Sequence, residues 1–343
     1  MEILEIGLLA IKKEVTYGTD PVPTPALNCI PTVRDQVSFS VNSTAVDRKL
    51  LDGTLDMVPG FNTKPNATIK FRYELRGNLR NGGTQLDITN GTTAQALEID
   101  CVLQAANLVP SYTAAATPGT EGSVAGSRDG FVTYKPGIFS TQGPSVTCYF
   151  WTALKLHSLT GGKVNIDAIT WEAGKMVYID FTVTGFYNPI TDVTFPTTAV
   201  FAVAKPPLFV SSTTSIGSYT TSVFSQLKVE LGNDVKLRSS AIDANNVAGF
   251  VIGAMAPKGT FDPESVAEAT NPFWADWVAS NTKTITCATG STSGNKFTGT
   301  FIGEYKSVNY GARDSVRIMQ AAFNIVKSDL SGAIGTQFQL KFN

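Results

Sequence analysis

Residues 163–187 constrain the fold more than any other stretch. Lys163-Val164-Asn165-Ile166-Asp167-Ala168-Ile169 alternates polar and apolar residues. After Glu172-Ala173-Gly174-Lys175, the residues Val177, Ile179, Phe181 and Val183 alternate with Tyr178, Asp180, Thr182 and Thr184. Successive side chains of a strand point to opposite faces, so this pattern sets one face of a sheet on a core and leaves the other to water or a partner. A short link with a Gly at the bend makes the stretch a long antiparallel hairpin. Nothing in it is arranged for chemistry; it reads as a wall.

The chain has 343 residues, enough for two domains with separate cores. Only 16% of residues are charged, against 43% apolar, which suits either a surface covered by other protein or a β-rich domain coated with Ser, Thr, Asn and Gly. The formal net charge is −1 and no run of Lys or Arg forms a basic stripe, which argues against gripping nucleic acid through its phosphates. A neutral wall would instead suit nucleic acid that slides past.

Cys29, Cys101, Cys148 and Cys287 lie far apart, with no CxxC and no nearby His, so no zinc site is expected and the thiols read as free and buried. Met1-Glu2-Ile3-Leu4-Glu5-Ile6 is acidic where a signal peptide would be basic, and the apolar runs fall short of a membrane span. The expectation is therefore no secretion and no membrane, and Asn42, Asn66 and Asn90 carry no glycosylation meaning.

Along the chain, residues 1–11 read as an apolar N-terminal arm. Strands are expected at 36–46 and 67–76, separated by an excursion, 47–66, that is rich in turn formers yet holds Leu50, Leu51, Leu55, Met57 and Phe61. That excursion either folds back on its own domain or docks on another subunit. Thr92-x-x-Gln95 is a capping-box pattern opening a helix with Ala94, Leu97, Cys101, Val102, Ala105 and Leu108 on one face, ended by Pro110. Residues 109–130 read as a loop, strands follow at 131–140 and 145–158, and Gly161-Gly162-Lys163 reads as a turn.

A second copy of this order is expected after 211–222. Gln226-Leu227-Lys228-Val229-Glu230-Leu231 matches Gln36-Val37-Ser38-Phe39-Ser40-Val41 in pattern. A helical region at 263–280 buries Phe273, Trp274, Trp277 and Val278, with Pro272 at the first turn of its second piece. A strand at 296–305, a turn at Asn309-Tyr310-Gly311-Ala312 and a strand at 315–326 then echo 145–187, with Asn309-x-Gly311 set against Leu159-x-Gly161. Phe338-Gln339-Leu340-Lys341-Phe342 is a last alternating strand.

Catalysis finds no footing. The single histidine, His157, reads as a surface residue on a strand, and there is no nucleophile elbow, P-loop or dinucleotide fingerprint. The carboxylates Asp167, Asp180 and Glu230 sit at alternating strand positions and read as a solvated face rather than a hydrolytic pair. Trp151, Trp171, Trp274 and Trp277 read as core or interface fillers more than as a sugar platform. No cofactor and no metal are expected.

One motif points to a family. Lys12-x-Glu14-x-Thr16-Tyr17-Gly18-Thr19-Asp20-Pro21, leading into a β-rich chain, resembles the opening of tailed-bacteriophage tail tube proteins. With the two α+β units, the chain resembles a major tail protein of the type with two tube domains. The resemblance implies an α+β, mainly β fold of two tandem tail-tube-like sandwich or barrel domains, each with a flanking helix and a long hairpin: an N-terminal arm at 1–30, a first domain at 31–210 and a second at 211–343. It implies stacked rings of three or six chains around a lumen, in a virion tail made in the host cytoplasm. Tape-measure, tail-terminator and baseplate or distal-tail proteins would be partners, and DNA only passing cargo. In that picture Tyr178, Asp180, Thr182 and Thr184 line the lumen, and Leu50, Leu51, Leu55, Met57 and Phe61 meet the next ring, with the N-terminal arm as second choice. A carbohydrate-binding or adhesin-like β module of a virion is the alternative.

Overall fold

The computed structural model describes residues 7–51, 56–77, 97–113, 131–138, 142–201, 205–210, 212–243, 245–292, 295–327 and 335–343. The fold is mainly β, with 58% strand and 6% helix, so strand pairing decides the architecture. In the first half, β1 (Gly7–Lys13), α1 (Pro25–Asn28) and β2 (Cys29–Ile30) precede the long strands β3 (Ser38–Arg48) and β4 (Val58–Glu74). Then come α2 (Asp100–Ala105), β5 (Leu108–Thr113), β6 (Phe131–Pro136), β7 (Val146–Thr152), β8 (Lys155–Glu172), β9 (Tyr178–Tyr187) and β10 (Thr191–Asp192). The second half holds β11 (Thr214–Ile216), β12 (Phe224–Glu230), β13 (Asn233–Ser239), β14 (Val247–Met255) and β15 (Lys258–Pro263). It ends with α3 (Phe273–Val278), β16 (Thr282–Thr289), β17 (Phe297–Arg313), β18 (Val316–Ile325) and β19 (Phe338–Phe342).

One pairing scheme occurs twice. In the first half the antiparallel order is β3–β4–β9–β8–β7. In the second it is β12–β15–β18–β17–β16. The registers also agree. Ile166↔Phe181 and Ala168↔Asp180 flank a bulge at Asp167, just as Tyr305↔Phe323 and Ser307↔Ala322 flank one at Lys306. Bulges bend and twist a strand locally, so sharing one at the same place keeps the two sheets alike in curvature.

The ribbon leaving each sheet matches as well: Val41↔Ala67, Thr44↔Thr63 and Val46↔Phe61 recur as Asn233↔Met255, Lys236↔Val251 and Arg238↔Gly249. The two sheets are joined where β12 pairs with the end of β8, Val229↔Ile169 through Gln226↔Glu172. Eight strands therefore follow one another as β3–β4–β9–β8–β12–β15–β18–β17. β19 ties the halves a second time by bonding to both β17 and β6.

The alternation holds over 177–184, whereas in β8 Lys163 is buried and the bulge at Asp167 turns Ala168 and Ile169 both inward. Val177, Ile179, Phe181 and Val183 are buried in the main core, and Tyr178, Asp180, Thr182 and Thr184 are half-buried on the other face. Each buried side chain contributes roughly 1.5–3 kcal/mol, and a one-residue slip would turn all four toward water, which fixes the register.

Several expectations give way. The excursion 47–66 is no loop: β3 and β4 stay paired out to Arg48↔Val58, as a two-stranded arm. Gly161 and Gly162 lie inside β8, and 296–313 is one strand whose turn falls at Asp314-Ser315 rather than 309–312. Both turn residues have positive φ (47° and 68°), the requirement of a two-residue hairpin loop. Thr170 and Glu172, not Leu159 and Gly161, are thus the counterparts of Asn309 and Gly311, and Glu230 matches Ser38 rather than Ser40. From Gly7 the N-terminal stretch is the strand β1, buried between β2 and β7.

The helices are shorter than their patterns suggested. Thr92, Ala94 and Gln95 lie outside the described residues; α2 ends at Ala105, and Pro110 sits within β5. α2 still places Val102, Leu103 and Ala105 in the core. In α3, Phe273 is buried and Trp274 partly so, but Trp277 and Val278 are exposed. His157 is wedged beside Phe39 and Phe150 rather than standing in solvent.

All four cysteines are free thiols; Cys29, Cys148 and Cys287 are buried and Cys101 half-buried. Burial pushes the Cys29 and Cys101 thiols up to about 12 and raises those of Cys148 and Cys287 further. The nucleophilic thiolate is therefore scarce near neutrality. Ellman's reagent at pH 8 is expected to titrate none of the four until denaturant is added; rapid reaction of the native chain would contradict this packing.

Candidate assembly surfaces

The polar face of the first sheet bounds a trough of about 880 Å³, lined from β3, β4, β9, β8 and β12. Tyr178 and Asp180 are in its wall; Thr182 and Thr184 continue the same face of β9, with Thr184 Oγ1 3.5 Å from Thr68 Oγ1. The trough's charges balance: Lys70, Arg72, Lys175 and Lys228 against Asp35, Asp167, Glu172 and Asp180. Most of these cations are engaged. Arg72 donates Nε and Nη2 to Asp180 at 2.7 and 3.0 Å, a two-pronged contact that raises its already high pKa. Lys175 pairs with Glu172, and Lys228 with Glu230, whose pKa the lysine's hydrogen bond lowers. Among the described residues no cluster of His, Cys, Asp or Glu could hold a metal ion.

The arm is the most exposed part of the molecule. Every residue from 41 to 51 is exposed, and so are Met57 and Phe61. Leu50, Leu51, Met57 and Phe61 are 54%, 108%, 93% and 62% exposed, so they cannot be a loop packed on its own domain. Leu55 lies outside the described residues. An isolated two-stranded ribbon with such side chains is marginal in water.

The joint between the halves shows what a covered rim looks like. Trp171, at the end of β8, is fully buried: it lies across from Leu227 of β12, stacks on Phe297 at 5.6 Å and meets Phe301 edge-on at 5.8 Å. Its counterpart on β17 by register is Tyr310, which is 55% exposed. Beside Tyr310 stand Trp274 at 5.4 Å and the Arg317 guanidinium at 4.9 Å; Trp277, edge-on to Trp274 at 6.2 Å, and Val278 are exposed as well. Opposite β18, the edge of β17 has no strand partner over 305–313 among the described residues, although the Trp277 indole donates to the Lys306 carbonyl at 3.1 Å, and β3 bonds only to β4 among the described strands.

The motif near the N-terminus proves to be a clip. Glu14, 4% exposed, accepts hydrogen bonds from the main-chain N–H of Gly18 and Gly161 (both 2.7 Å) and from the hydroxyls of Ser145 (2.5 Å) and Thr147 (2.7 Å). Four donors from the motif, β7, the residue before it and the β8 bulge offset the cost of burying the carboxylate. Gly161, at φ +64°, must lack a Cβ, since one would lie 2.7 Å from the Phe186 ring. The Tyr17 hydroxyl accepts from the Phe250 N–H at 2.6 Å, and its ring packs edge-on against Phe186. Asp20 accepts from the Tyr149 hydroxyl, and Lys12 Nζ donates to the Pro21 carbonyl at 2.8 Å. The sequence shows these letters but not their distant partners, Ser145, Thr147, Tyr149, Gly161 and Phe250, which lie more than a hundred residues away. Glu14→Gln would turn an amide N–H₂ toward donors; a loss of about 3 kcal/mol is expected, lowering the midpoint of thermal unfolding by about 4 °C. An unchanged midpoint would refute the clip.

A charge-balanced trough, the two open rims of the eight-strand run and an exposed apolar arm suit contact with other protein. The comparison with family models agrees: a model described as phage tail tube protein matches residues 6–327, so the chain belongs to that family. It is a structural protein of a phage tail. No curated protein matches the sequence. No described helix is long and apolar enough to cross a membrane.

Proposed function

We propose that the chain assembles into closed rings of three, each holding six copies of one tube unit, and that the rings stack into the hollow tube through which viral DNA leaves. The two copies are the segments 31–210 and 211–343, and the observation that carries the reading is the pair of open rims at the ends of the eight-strand run. Unpaired main-chain groups at an edge are a liability unless something bonds to them. β12 on β8 supplies the pattern: residues 34–37, just before β3, of one chain bond to 308–311 of β17 of the next, burying Tyr310 as Trp171 is buried within the chain. Repeating that contact closes a barrel with no edges left.

In the ring, Tyr178, Asp180, Thr182 and Thr184 face the lumen. Their wall carries balanced charge with its cations largely paired, so DNA passes as cargo rather than binding as a ligand. The arm's tip, with Leu50, Leu51, Leu55 and Met57, and Phe61 below it, meets the next ring. Tape-measure protein inside the tube and terminator and baseplate proteins at its ends are the further partners, and assembly takes place in the host cytoplasm before the tail joins the virion.

Negative-stain microscopy of the purified chain is expected to show rings or tubes. Replacing residues 49–57 by Asn-Gly is expected to leave rings that do not stack. Tubes of normal length from that variant would remove the tip from the axial contact, and a chain that stays monomeric at every concentration would overturn the ring.

A further inference from the structure

The two ribbons that match in register differ in where they lie. β13 and β14 bend away after Gly232 and lie along β8 and β9 of the other half. Asn233 anchors them: its N–H donates to Asn165 Oδ1 at 2.7 Å, and its Nδ2 to the carbonyls of Ala106 and Val164 at 2.9 and 3.1 Å. Gln142 bonds both main-chain groups of Ile252, and Phe250 packs edge-on against Phe186 at 5.6 Å. Val247, Phe250 and Ile252 are buried as a result. The matching part of the first arm, 41–47 with 59–67, has no such support. Its Val41, Val46 and Phe61 are 45%, 45% and 62% exposed.

We infer that this arm docks on the second half of the neighbouring chain in the same ring, at the place that corresponds to the seat of β13 and β14. The inference rests on the ring reading above. Register gives the receiving residues. Val41 stands for Asn233, Glu304 for Asn165 and Gly303 for Val164. Each of α2 and α3 is followed by a residue of positive φ, Asn107 and Ser280, which sets Ala279 against Ala106. Around this seat the second half exposes Val278 (77%) and Trp277 (40%). The covered seat holds the polar Asn233; the open one offers Trp277 and Val278 beside Glu304, which is ion-paired to Lys306, and the arm brings Val41, Val46 and Phe61. The exposed apolar side chains of the two surfaces thus correspond in position. The contact is lateral, made by the arm's body, and leaves the longer tip free for the axial contact: Arg48 and Val58 match Ser240 and Asn246, so the first tip has the more residues to spare.

The test uses the full chain with Val41→Cys and Glu304→Cys, treated with a short bis-maleimide; three native thiols are buried and Cys101 half-buried, so the unsubstituted chain, expected to give no bridge, is the control. Covalent dimers and closed trimers, and nothing larger, are expected on a denaturing gel. Mixing the two single variants should give dimers only. Bridged monomers would mean that the arm folds back on its own chain, and a ladder beyond three that it reaches another ring; either overturns the lateral contact. Hydrogen exchange at 41–47 and 59–67 is the second reading, expected to slow on assembly. Rings seen by microscopy with no bridge and no slowing would overturn the docking alone, whereas absence of rings would overturn the ring reading and the docking with it.

Discussion

Every main-chain N–H and C=O in a sheet needs a partner, and the two outermost strands of an open sheet leave theirs facing solvent. In the eight-strand run that constraint is met at one internal joint and left unmet, among the described residues, at the two rims. At the joint, β12 completes the edge of β8 and Trp171 disappears beneath Phe297 and Phe301. At the far end of the same run, 305–313 of β17 has no described strand on the side opposite β18, and Tyr310 is exposed. The internal joint therefore states what the external one requires.

The halves are alike in pairing and unlike in detail, and the details follow from what each half meets. Phe71 stacks near Phe181 at 5.1 Å, but the corresponding pair is Gly259 with Phe323, where a Cβ on the glycine would come within 2.4 Å of the ring. One aromatic then does the filling of two. The clip built on Glu14 and Tyr17 has a similar logic: it locks the bulge of β8 and, through Phe250, the ribbon of the other half, so the seat of β13 and β14 is built within the chain.

Legibility in the sequence tracked burial on one face. The hairpin of β8 and β9 could be read because its alternation is enforced by a core on one side. The arm could not: with both faces in water, Asn42 to Arg48 show no period, and Pro59, Gly60 and Pro65 suggest a loop although the strands stay paired. The turn of the second long hairpin was misplaced because Asn309-Tyr310-Gly311-Ala312 has turn chemistry, whereas Asp314-Ser315 lacks the glycine usual at positive φ. The exposure of Trp277 and Val278 could not be foreseen either, since a helical stripe of apolar residues looks the same whether it meets its own core or a neighbour.

A cryo-electron microscopy map of the assembled tube tests the central claim most directly. The account predicts antiparallel main-chain bonds between Val308–Gly311 of one chain and residues 34–37, just before β3, of the next, in the register of Ile169–Glu172 with Gln226–Val229. Rings closed through any other pair of strands, with β17 and β3 still unbonded, would contradict it.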